Sequence, residues 1–177
     1  LLEEYARLGV NGVWLQGILY QLVEHSLYPE ISSDCEKRIA ALRELCRRAK
    51  RFGISVYLYF NEPRSLPKAF FENHPELAGT NGDESYTTLC TSVKEVQEYL
   101  ENASYTLFSK VPELGGYFTI TRSENPTSCV SHDDIEPCPR CSARGADTIV
   151  AEINNLLYRG MRRASKTARA FAWTWGW

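Results

Sequence analysis

Gly116-Tyr117-Phe118-Thr119-Ile120-Thr121-Arg122-Ser123-Glu124-Asn125 is an apolar run that ends abruptly in a polar, carboxylate-bearing turn. Its length, and its entry from a pair of glycines, fit a buried strand of a parallel sheet. In α/β folds ligands bind beyond the carboxyl ends of such strands, so the polar cluster marks where a site is expected.

Three further runs have the same character: residues 10–16, 54–60 and 168–174. Each is short, apolar and rich in β-branched or aromatic residues. Helical periodicity fills the gaps. One pattern places Ile39, Leu42, Cys46 and Ala49 on a single face, with Cys46 as a buried thiol. A second runs Val96, Leu100, Ala103, Leu107, Val111, and a third carries Ile149, Ile153, Leu156 and Gly160. Ser33 with Glu36, and Ser92 with Glu95, have capping-box spacing at the first two starts. A partial helix, 2–8, leads into the first strand. The order α-β-α-β-α-β-α-β implies parallel strands joined by right-handed crossovers.

The loops are asymmetric. Helix-to-strand turns are short, whereas the strand-to-helix segments 17–32, 61–91 and 122–146 are long. Long loops on the carboxyl side are the pattern of a (β/α) TIM barrel with an elaborated catalytic face. A doubly wound open sheet is the competitor, but the first strand-to-helix turn lacks a G-x-G-x-x-G fingerprint. The fold expected over residues 1–177 is therefore a partial barrel of about four βα units, with a Cys/His-rich loop at 122–146. The missing units would be its first partner. Half a barrel would leave open strand edges, prone to association.

The 177 residues carry a formal net charge of −2, which gives no electrostatic case for nucleic acid or an anionic membrane. The chain opens inside a helical pattern without Met, which suggests a segment of a longer protein. Its termini give no compartment, although a clustered Cys/His set leans toward the cytoplasm.

Two glutamates stand at strand ends, Glu62 in Asn61-Glu62-Pro63 and Glu124 in Ser123-Glu124-Asn125. Adjacent strand ends of a barrel converge on one bowl, where two carboxyls can act as acid and base, or acid and nucleophile, on a glycosidic bond. The bland alternative is that each caps a turn or pairs with Arg64 or Arg122. Asn61, Arg122 and Asn125 flank these carboxylates and join the substrate-binding candidates. Trp173, Trp175 and Trp177 alternate along the last strand. Trp173 is expected in the core, whereas Trp175 and Trp177 suit the floor of a sugar site. Tyr57 and Tyr59 are read as barrel filling. His25, beside Glu24, Tyr28 and Glu30, is a candidate substrate contact, and His74 is read as the end of a short helix.

Cys129, His132, Cys138 and Cys141 form C-x2-H-x5-C-x2-C. Four soft or borderline ligands at such spacing suit a closed, structural Zn²⁺ site. Disulfides from Cys129 to Cys138 or Cys141, or a metal-free cluster, are the alternatives.

Together these motifs resemble the barrel of family 20 glycoside hydrolases, the β-N-acetylhexosaminidase group, and their bacterial relatives. Leu8-Gly9-Val10-Asn11-Gly12-Val13-Trp14 looks like the family's early strand. Ala49-Lys50-Arg51-Phe52-Gly53-Ile54-Ser55-Val56 looks like its next helix-to-strand turn. Residues 108–124 look like the segment that ends in its Gly-Gly-Asp-Glu signature, and Trp173-Thr174-Trp175 is similar to its tryptophan-bearing strand. The resemblance implies a carbohydrate-active barrel with Glu124 as general acid and Glu62 shaping the site. Ser123 stands where the family has the aspartate that orients the substrate's acetamido group. Asn61-Glu62-Pro63 also resembles the Asn-Glu-Pro of clan A retaining glycosidases, in which Glu62 would be the acid/base. A carbohydrate-binding barrel without catalysis, and a zinc-stabilised scaffold, are the readings from other functional classes.

Overall fold

A computed structural model describes residues 1–81, 84–122, 125–132 and 135–173. Its centre is a four-stranded sheet of β1 (Gly12–Gly17), β2 (Ser55–Phe60), β6 (Gly116–Thr119) and β7 (Arg169–Ala172), in that spatial order. All three pairings are parallel. The intervening helices are α3 (Cys35–Lys50), α5 (Lys94–Lys110) and α7 (Ala146–Ala164), preceded by α1 (Leu2–Arg7). The four strands and long helices expected from the sequence are thus present within a few residues. The sheet does not close into a barrel among the described residues.

The two faces of the sheet differ. Val56, Leu58 and Phe60 alternate on the buried face of β2 and join Tyr117 under the helices. The helical stripes Ile39/Leu42/Cys46/Ala49, Leu100/Ala103/Leu107/Val111 and Ile149/Ile153/Leu156 all enter this core. Each leucine, isoleucine or valine among them stabilises the fold by about 1.5–3 kcal/mol on burial. The helices α5 and α7 meet closely at Gly160, where an added Cβ would lie 2.1 Å from the Glu101 carbonyl oxygen. Ser104 donates to the Leu157 carbonyl at 2.8 Å across the same seam.

The opposite face carries Trp14, Tyr57, Tyr59, Phe118, Phe171 and Trp173. Tyr59 stacks on Phe118 at 5.0 Å, Trp14 meets Phe118 edge-on at 5.3 Å, and Tyr57 meets Phe171 at 5.8 Å. Trp14 is 61% exposed and Trp173 52%. The expectation that Trp173 sits in the core is corrected: it lies past β7, half exposed, on the face opposite the described helices.

The segment between β2 and α5 is not simply a long loop. It contains β3 (Ser65–Pro67), α4 (Lys68–Asn73), β4 (Ala78–Asn81) and β5 (Tyr86–Leu89). The strands form a small antiparallel sheet in the order β3-β5-β4. It has its own core of Leu66, Phe70, Phe71, Leu77, Leu89 and Val96. His74 follows the last residue of α4, as expected. Strands of three or four residues are too short to announce themselves by periodicity.

Neither capping box forms. Asp34, at φ 53°, precedes α3, and Val93 precedes α5, both without a side-chain cap. Ser92 instead faces the Cys141 sulfur at 3.3 Å and accepts from Arg144 Nη1 at 3.0 Å. Tertiary partners have taken the hydroxyl that local geometry would have used.

Candidate functional site

Parallel pairing sends the residues after β1, β2 and β6 to one edge of the sheet. Glu62 lies there, two residues beyond β2. Its side chain is fully buried. Oε1 accepts the Leu19 N–H at 3.0 Å, at the start of α2 (Leu19–Leu22), and lies 3.4 Å from Arg64 Nε. Arg64 Nη2 in turn donates to the Gly17 carbonyl at 3.3 Å. Glu62 and Arg64 therefore tie the end of β2 to the end of β1. Burial raises the Glu62 pKa above the usual carboxylate value, while Arg64 and the Leu19 N–H pull it back. Held in this way, the carboxyl is part of the connection between the two strand ends.

His25 is likewise not a surface contact. It is completely buried, and its ring stacks on Tyr99 at 3.9 Å with 16° between planes. Nδ1 accepts the Leu27 N–H at 3.2 Å, which leaves the ring proton on Nε2. Desolvation lowers its pKa to about 4, so the imidazole is neutral at pH 7. The substrate contact expected at His25 is corrected on this ground.

Asn61 is also buried, Asn125 is exposed, and Arg122 is half-buried. Arg122 lines a cavity of about 340 Å³ with Asp147, Val150, Asn154, Asn155 and Ala172. Asn154 organises this corner. Its Oδ1 accepts from Thr119 Oγ1 at 2.5 Å, and its Nδ2 donates to Thr121 Oγ1 at 2.8 Å. The sequence signal for Asn154 was a polar pair, Asn154-Asn155, set inside an otherwise apolar helical stripe. A larger cavity, about 500 Å³, lies at the opposite, amino-terminal edge among the short turns, lined by residues such as Gly53, Ser55, Glu113 and Thr167. That edge is the one that serves stability in barrel folds. Ser123, Glu124, Trp175 and Trp177 lie outside the described residues.

The cysteines converge, but not as the spacing suggested. The sulfurs of Cys90, Cys129, Cys138 and Cys141 all lie within 4.8 Å of one another. Cys90, at the end of β5, takes the place expected for His132, which is not in the group. The local motif counted ligands along one loop, whereas the fold brings the fourth sulfur from another, 39 residues before Cys129. All four thiols are free, so the disulfide alternatives do not form. Hydrogen bonds from Cys129 and Cys141 hold the Cys90 thiol well below the usual range, while the thiol of Cys129 is pushed up. The set can hold a metal ion.

Among solved structures, the chain is similar to a GH138 enzyme targeting pectin rhamnogalacturonan II. The TM-score is 0.59 at 13% identity, over 92% of this chain and 17% of that one. It is also similar to the AHE enzyme from Alicyclobacillus herbarius, with a TM-score of 0.55 at 11% identity, over 96% of this chain and 34% of that one. The likeness is one of fold. The chain spans about a sixth and a third of these two proteins. No protein-family model and no curated protein matches it, and the family 20 resemblance gains no support from these comparisons.

Proposed function

We propose that the chain is part of a carbohydrate-active (β/α) barrel that hydrolyses O-glycosidic bonds. The observation that carries this is the uncovered aromatic face of the parallel sheet. Trp14, Tyr59, Phe118 and Trp173 form a contiguous wall on the side away from the helices. A parallel sheet is stable when both faces are covered, so further βα units are the natural cover, with this wall inside the barrel. The fold likeness to a glycoside hydrolase supports the same assignment. At the carboxyl edge the wall offers flat rings to sugar C–H groups. Glu124, two positions after Arg122 in the chain, is the proposed proton donor in a family 20-like site. In the same reading Asn61, Arg122, Asn125, Trp175 and Trp177 are the proposed substrate contacts, and Glu62 fixes the loops. A metal held by the cysteine quartet would serve the structure and take no part in the reaction.

The test is hydrolysis of a panel of glycosides and oligosaccharides by the native polypeptide, with Glu124→Gln alongside. Turnover that the substitution abolishes supports the proposal. Sugar binding without turnover in the parent would point to a binding barrel, and neither binding nor turnover would sink the proposal.

A further inference from the structure

We infer that Cys90, Cys129, Cys138 and Cys141 hold one structural Zn²⁺ that staples the antiparallel sheet to the loop following β6. This stands apart from the glycosidase assignment and survives its failure.

The geometry comes first. Cys90 lies 3.6 Å from Cys138 and 3.6 Å from Cys141, and Cys129 lies 3.7 Å from Cys138, sulfur to sulfur. A tetrahedral ion with Zn–S bonds of about 2.3 Å requires sulfurs about 3.8 Å apart. The separations match that edge, and are far longer than the roughly 2.05 Å of a disulfide. A cluster of several irons would spread the sulfurs wider, because bridging sulfides lie between the metals. Four soft donors with no open position suit a closed zinc site.

The surroundings are built for it. Cys138 and Cys141 flank the start of α6 (Pro139–Ser142), where the Cys138 carbonyl accepts the N–H groups of Cys141 and Ser142, each at 2.9 Å. This turn points both sulfurs one way. Cys90 is fixed by its N–H to the Leu77 carbonyl at 2.9 Å. Thr88 Oγ1 lies 3.6 Å from the Cys129 sulfur, and Gly79 leaves the space that sulfur occupies, since a Cβ there would stand 2.5 Å from it. Three of the four cysteines are buried, so the ion would be shielded from water.

The two segments are stitched around the quartet. Arg140, between the paired cysteines, donates to the carbonyls of Glu76 at 2.7 Å and Ala78 at 2.5 Å. Thr80 Oγ1 donates to the Glu136 carbonyl at 2.5 Å, and Ser65 Oγ to that of Pro126. Among the described residues, the buried hydrophobic side chains of the segment between β6 and α7 are Cys129, Val130 and Cys141. An ion shared by both segments supplies the missing cohesion, and its binding free energy becomes folding free energy for them.

The experiment is metal analysis with X-ray absorption on the native protein, beside Cys90→Ser and His132→Ala. The expectation is one zinc per chain with four sulfur scatterers at about 2.3 Å. His132→Ala should keep full zinc, whereas Cys90→Ser should lose at least tenfold in zinc affinity. If Cys90→Ser does not fold, the scatterer count on the parent decides alone. A nitrogen scatterer, stoichiometric iron, a disulfide within the quartet, or zinc lost in His132→Ala would each overturn the assignment.

Discussion

Acid should weaken this fold at His25 by an amount that follows from its burial. The imidazole is sealed against Tyr99, accepts a backbone N–H at Nδ1, and has its pKa lowered from 6.5 to about 4. Below pH 6.5 the unfolded chain takes up a proton at His25 that the folded chain refuses. Stability from this group is therefore complete above pH 6.5, falls as the pH drops toward 4, and levels off below that. Linkage over this window gives a loss of about 2 kcal/mol by pH 5 and about 3 kcal/mol by pH 4. Glu62, whose pKa is raised, acts in the opposite sense in acid, because its folded form holds its proton at higher pH than the unfolded one. The comparison is therefore made between the parent and His25→Gln, which share Glu62 and the cysteine quartet. Urea unfolding at pH 7.5 and pH 5.0 should show the parent losing about 2 kcal/mol more than the variant across that interval. Equal losses in the two proteins would refute the neutral, buried imidazole.

Glu124→Gln should lower glycoside turnover about a hundredfold or more while sugar affinity stays near the parent's, as read by steady-state kinetics beside calorimetric binding. Glu62→Ala strands the buried Leu19 N–H and Arg64 guanidinium, and should cost about 3–5 kcal/mol in denaturant unfolding; Glu62→Gln, which keeps an acceptor for Leu19, should cost less. Gly160→Ala forces α7 away from the Glu101 carbonyl and should cost about 1–3 kcal/mol, read as a drop in Tm of several degrees.

The long elements were legible in the chain because each is governed by a local period. Stripes such as Ile39/Leu42/Cys46/Ala49 repeat at helical spacing, and all of these side chains are buried. Four apolar runs separated by helices imply parallel pairing, and the sheet is parallel throughout. The metal-binding potential was also legible, through Cys129, Cys138 and Cys141, since short ligand spacing is itself a local property. What the sequence could not give was membership that depends on distance in space. Cys90 reads alone as an isolated thiol, and only the antiparallel sheet carries it to the other three. His25 and Glu62 look like loop residues open to a ligand, yet the packing of α2 and α5 over them makes one a neutral core imidazole and the other a buried tie. Trp173 shows the converse, an apolar residue read as core that stands half exposed on the face opposite the described helices. Local pattern fixes which face of an element is apolar; only the assembled elements fix which polar groups lose their water, and burial sets the charge of His25.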